Sequence, residues 1–203
     1  MVLPGSPSHG SPSPGASTRG RLLVATPPLG DPNFDRTVVY MLEHTDTGAV
    51  GVVLNRADEP AAVLAEEFDL ADLAAWEDLL APPARIFVGG PVGDDSLIAV
   101  AEGHGRSEEA WGELTHSLGT VDLSMTPTEV ADRLDRVRIF RGYAGWAPGQ
   151  LEAELRAGAW MVFDAHDDDL FTDRPADLWR TVVRRQGGRL TWIADAPDDL
   201  SAN

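Results

Sequence analysis

The sequence has no lysine and no cysteine. Without lysine there is no Schiff-base amine, no phosphate-loop lysine and no lysine general base. Without cysteine there is no disulfide, no thiol nucleophile and no thiolate zinc site. No apolar run approaches the roughly 18–20 residues of a membrane helix. The N-terminus lacks the basic and apolar regions of a signal peptide, so a cytoplasmic location is expected. Positive charge is scarce: 16 arginines stand against 33 acidic residues, a formal net charge of −17 over 203 residues. Such a chain is repelled by phosphate backbones and anionic membranes, so direct nucleic-acid contact is not expected. Catalytic signatures are missing as well. There is no G-x-S-x-G elbow, no H-E-x-x-H and no Walker loop, and the five histidines show no i, i+4 pair.

What is present suits one well-buried domain. Apolar residues make up 43%, and six tryptophans outnumber two tyrosines. Residues 1–18 are dominated by Ser, Pro and Gly and read as a disordered tail, leaving residues 19–203 as the domain. Leu22–Thr26, Val38–Leu42 and Ala49–Leu54 are apolar runs of the kind buried on both faces of a sheet. Thr45–Gly48 joins the last two as a hairpin, and Gly51 signals a bulge or a close backbone approach. Residues 60–80 read as a helix ended by Pro82-Pro83. Ile86–Val88, Ser96–Ala101 and Val121–Leu123 read as strands. Thr126-Pro127-Thr128-Glu129 is a capping box opening a helix to about Leu134. Val137–Phe140 and Trp160–Phe163 follow as strands, separated by a short helix from Pro148 to Ala157. A helix from Pro175 to Gln186 and a last strand, Leu190–Ile193, complete an α+β pattern without strict alternation.

Several polar or glycine-rich stretches invite a functional reading. Arg36, after Asp31-Pro32-Asn33-Phe34-Asp35, is placed to fix a carboxylate or an anion at a strand entrance, while Asp31 caps a turn and Phe34 plugs the core. Glu43 and His44 end a buried strand, where His44 suits acid–base chemistry. Asn55 and Arg56 follow the central strand. Gly142–Glu152 reads as a strand, a glycine-hinged turn and a helix, with Tyr143 and Trp146 as walls and Gln150 beside them. Glu152 and Glu154 suit the start of that helix. Gly89-Gly90-Pro91-Val92 is a turn that needs positive φ or close approach. The acidic run Asp164–Asp169 lacks calcium-loop spacing and reads as a solvated loop, so no metal site is expected. The two arginine runs, at 133–141 and 180–189, are expected to form ion pairs.

Taken together, GRLLVATPPLGDPNFDRTVVYMLEH (20–44), GAVGVVLNR (48–56), FVGGPV (87–92) and RIFRGYAGWAPGQLEAEL (138–155) resemble the bacterial YqgE/AlgH family across residues 20–200. One departure is Ala57, where the family pattern has proline after Asn-Arg. The resemblance implies a single α+β domain whose mixed sheet curls partly into a small barrel flanked by short helices. It also implies a regulatory role in a family without a characterised activity. A non-enzymatic domain that binds a small molecule or a protein, with no cofactor, is the leading reading. Its site would gather Arg36, His44, Asn55, Arg56, Tyr143, Trp146 and Gln150 at strand ends. A hydrolase with Glu43 or His44 as general base is the alternative. A direct DNA-binding regulator is the third, opposed by the charge.

Overall fold

A computed structural model describes residues 17–27, 33–60, 73–105, 107 and 109–194. The tail reading through residue 16 and the helix reading over 61–72 lie outside the described residues, as do Asp31 and Pro32. The strands run β1 (Arg21–Ala25), β2 (Val38–Thr45), β3 (Gly48–Val53), β4 (Ala57–Pro60), β5 (Arg85–Val88), β6 (Val92–Gly105), β7 (Trp111–Glu113), β8 (Leu118–Val121), β9 (Ala131–Trp146) and β10 (Trp160–Asp164). The helices are α1 (Pro127–Val130), α2 (Gln150–Arg156), α3 (Asp167–Leu170), α4 (Leu178–Arg185) and α5 (Arg189–Ala194), with 3-10 turns at Leu73–Leu79 and Pro175–Asp177.

The main path of the sheet is β10-β1-β2-β3-β9-β6-β8-β7, antiparallel throughout, while β5 joins β9 in parallel and carries β4. This is a mixed sheet with few short helices, as the resemblance implies. The long strand β9 is its spine, pairing with β6 along one side and with β3 and β5 along the other. The sheet curls far enough that Arg19, just before β1, donates from its guanidinium to the Glu113 carbonyl of β7 at 2.5 Å.

Alternation along β9 divides the core. Val137 and Ile139 face one apolar cluster with Trp76, while Phe140 joins Phe87 in another. The amphipathic helix α4 closes the second cluster with Leu178, Trp179, Val182 and Val183. Each such side chain contributes roughly 1.5–3 kcal/mol of burial. A third cluster, built on Leu23, Val39, Trp146, Leu151 and Trp160, is plugged by Phe34 as expected.

Three local expectations are corrected. The capping box at Thr126 forms, with the Thr126 N–H donating to Glu129 at 2.8 Å, but the helix lasts one turn. The capping box predicts a helix to about Leu134, but Ala131–Leu134 pairs with β6 instead. The segment around Leu190–Ile193 is helical, not a strand: Leu190, Ile193 and Ala194 share one helical face on the core, and Trp192 points out at 82% exposure. The strand expected at Val121–Leu123 lies instead at Leu118–Val121.

Candidate functional site

The sequence places a single site at converging strand ends. The structure distributes its residues over both ends of β2 and the middle of β9. Arg36, Asn55 and Arg56 lie where β2 begins and β3 has just ended. Glu43, His44, Trp146 and Gln150 gather at the opposite end, around α2. Tyr143 sits between them on β9, opposite Val92, with its ring over Gly93 and Gly145. The residues therefore do not converge on one cleft.

At the first end, Asn55 acts as a staple. Its Oδ1 accepts from the Val38 N–H at 2.9 Å, and its Nδ2 donates to the Arg36 carbonyl at 2.8 Å. Arg36 has a left-handed backbone, φ 51°, which a non-glycine residue adopts only under restraint. Its guanidinium lies 5.5 Å from the centre of the Trp179 ring, and Trp179 in turn donates to the Ala25 carbonyl at 2.9 Å. The backbone carbonyl of Arg56 accepts from the Val88 N–H at 2.8 Å, tying β5 alongside.

At the second end, His44 is a bridge. Its Nδ1 accepts from the Thr18 N–H at 3.0 Å and faces the Thr18 hydroxyl at the same distance. Its Nε2 meets Glu152 at 3.0 Å. Nδ1 can accept only if unprotonated, so the neutral ring carries its proton on Nε2 and donates it to the carboxylate. The Glu152 carboxyl is held below its ordinary value, first by its own backbone N–H and then by His44. Thr18 is fully buried here, so packed chain extends into residues that composition assigns to the tail.

Glu154 is the residue that sequence reasoning undervalued. One carboxylate oxygen accepts the indole N–H of Trp146 at 2.9 Å and that of Trp160 at 2.8 Å. The other accepts from Gln150 at 2.9 Å, and Gln150 itself accepts from the Ala147 N–H at 3.0 Å. The signal was available: buried indoles need an acceptor, and Glu154 stands one turn after Gln150. Glu43, in contrast, is exposed, beyond a register shift between Met41 and Glu43.

The glycine motifs are absorbed by chain crossing. A Cβ on Gly89 would lie 2.2 Å from the Gly142 carbonyl oxygen, and one on Gly90 2.2 Å from the Tyr143 carbonyl carbon. The expected order of strand, glycine-hinged turn and helix is present: β9 runs unbroken to Trp146, and the turn before α2 is hinged on Gly149 at φ 76°. Gly142 takes a positive φ of 68° within the strand, and α2 starts at Gln150 rather than Pro148.

The acidic run is solvated as expected at Asp164, Asp167 and Asp168, but Asp167–Leu170 forms α3 rather than a loop and Asp169 is buried. Asp164 pairs with Arg21 at 2.9 Å, Asp168 with Arg136 at 3.0 Å and Asp169 with Arg185 at 2.7 Å, while Asp167 accepts from Ser117 at 3.0 Å. Both arginine runs are drawn into such contacts, Arg141 to Asp58 among them. Arg138 is the exception. It is buried, donates to the carbonyls of Pro82 and Thr172 at 2.6 and 3.0 Å, and lies 4.2 Å over the Phe87 ring. Burial pulls its value down to about 10, so it stays charged near neutrality. The hydroxyl of Tyr40, also buried, has no hydrogen-bond partner among the described residues, and burial pushes its value up to about 12.

The comparisons agree with this architecture. The AlgH-like family model matches residues 22–191. A UPF0301 protein of Streptomyces avermitilis is 46% identical over 194 residues, covering 93% of this chain and 96% of that protein. One from Thermobifida fusca is 45% identical over 199 residues, covering 92% and 96%. A crystal structure from Corynebacterium diphtheriae superposes with a TM-score of 0.75 at 29% identity, covering 87% of this chain and 91% of that one. The solution structure of AlgH from Pseudomonas aeruginosa gives a TM-score of 0.64 at 29% identity, covering 98% and 100%. On sequence and on fold alike, the chain belongs to the AlgH-like family.

Proposed function

We propose that the protein is a non-enzymatic regulatory domain that works in the cytoplasm by binding a partner, most simply another protein. The observation that carries this reading is the commitment of His44 and Glu154. A general base needs a free lone pair aimed at substrate. In His44 that lone pair already accepts from Thr18, and the proton on the other nitrogen is given to Glu152. Glu154 already accepts from two indoles and an amide. The motif residues shape and stiffen the domain, which suits a surface presented to a partner better than chemistry in a cleft. The net charge of −17 favours a partner with a basic face, reached by electrostatic steering. Pairing of the arginines leaves little positive surface for a phosphate backbone, in keeping with action that does not touch DNA directly.

The experiment is native mass spectrometry of the gently purified full chain, run beside a panel of ester, amide and phosphoester substrates. A co-purifying protein or small molecule, with no turnover, supports the reading. Turnover that disappears in His44→Ala or Glu43→Gln overturns it in favour of the hydrolase alternative.

A further inference from the structure

Among the described residues, no group of three or more His, Asp and Glu side chains is placed to hold an ion. Two histidines nevertheless meet away from both ends of β2. His104 lies near the end of β6, and His116 lies in the turn between β7 and β8. β6 and β8 are antiparallel, with Glu102 opposite Leu118, and the Gly103 N–H donates to the Ser117 carbonyl at 2.9 Å. Continued two residues from Glu102, that register sets His104 directly opposite His116, the closest placement available to side chains on neighbouring strands. The ring centroids are 5.5 Å apart with the planes at 86°.

Both histidines are exposed, and among the described residues neither ring makes a hydrogen bond. They differ in this from His44, whose two nitrogens are occupied. Charged neighbours are engaged elsewhere: Arg133, across from His104 on β9, pairs with Asp135 at 2.9 Å, and Glu102 pairs with Arg136 at 2.5 Å. No described residue therefore occupies any of the four ring nitrogens.

The spacing is that of a chelate. One ion bound by each ring at about 2.05 Å, with a tetrahedral angle between them, puts the centroids about 5 Å apart. The rings now meet edge to face, so a turn about χ2, a soft torsion, aims one nitrogen from each at a common point. Imidazole nitrogens select zinc, copper or nickel over magnesium or calcium. We propose that His104 and His116 form a two-histidine site for a divalent transition cation, clamping β6 to the β7–β8 turn. Water completes the coordination, so the ion is exchangeable.

The test is calorimetric titration of the metal-free, untagged full chain with zinc chloride and with nickel chloride. The expected result is one ion per chain, lost in His104→Gln and in His116→Gln and retained in His166→Gln, with magnesium giving no binding. Exposure of both histidines means that the substitutions should leave the metal-free melting curve unchanged, and zinc should raise the melting temperature of the unsubstituted chain alone. No binding by the unsubstituted chain, or binding that persists in both substituted chains, overturns the proposal and leaves the pair as an edge-to-face contact.

Discussion

Asn55→Ala tests whether the most site-like polar residue of the sequence is a ligand contact or a structural staple. The Val38 N–H that Asn55 satisfies belongs to a fully buried residue at the start of a central strand. Truncation leaves that donor without a partner, at about 1–3 kcal/mol, and removes a second bond of about 1 kcal/mol to the Arg36 carbonyl. That second bond also helps hold Arg36 at φ 51°, a conformation that costs about 1–3 kcal/mol to maintain. The expected loss is about 3 kcal/mol. For a chain of this size, that corresponds to about 6–12 °C in Tm. Asn55→Asp keeps the acceptor for Val38 but sets a carboxylate oxygen against the Arg36 carbonyl, so it should not rescue. Urea unfolding followed by tryptophan fluorescence measures the difference directly. A loss below about 0.5 kcal/mol, the range of an ordinary surface substitution, would refute the staple and return Asn55 to the list of ligand contacts.

Three further predictions concern groups whose surroundings are equally well defined. Glu154→Ala orphans two buried indole N–H groups and should cost about 3 kcal/mol, whereas Glu154→Gln, which keeps an acceptor, should recover part of it in the same denaturation experiment. Tyr40→Phe removes a buried hydroxyl without a partner among the described residues and should be neutral or stabilising. The folded Tyr40 holds its proton to about pH 12, but the unfolded one loses it near 10. Its contribution is thus complete below pH 10 and falls away between 10 and 12. The phenylalanine variant should lack up to about 3 kcal/mol of that alkaline decline when the two unfolding curves are compared across this window. Gly90→Ala should prevent stable folding, because its Cβ would overlap the backbone of Tyr143 and Ala144, while Gly149→Ala, left-handed but with nothing within 4 Å, should cost about 1 kcal/mol; circular dichroism melts separate the two.

The architecture was legible where burial is continuous. The runs of β1, β2 and β3 are apolar on both faces and stand where periodicity places them. Legibility failed where a short segment satisfies two periods. Leu190, Ile193 and Ala194 fit a helical face as well as a strand, and only their packing on α4 and the core decides. Ala131–Leu134 follows a sound capping box but is claimed by β6, a partner nearly thirty residues earlier in the chain. At the candidate site, residue types were readable but their partners were not. His44 and Glu152 are 108 positions apart, and Ser117 and Asp167 are 50 apart. Local pattern shows that a histidine or an aspartate stands at a strand end. Which distant group has already occupied its lone pairs is a property of the folded chain, and it separates a catalyst from a brace.

The crossing of Gly89-Gly90 over Gly142-Tyr143 constrains how such a sequence can change. Main chain lies against main chain there, with no side chain between them to be resized. Substitutions elsewhere in the core can be answered by a neighbour that shrinks or shifts, but a peptide group has no smaller form. Drift at either strand is therefore blocked singly and cannot be rescued in pairs. Two glycine-bearing stretches, more than fifty residues apart, are thereby constrained together. A glycine-rich signature of this kind marks a junction in the wiring of the chain.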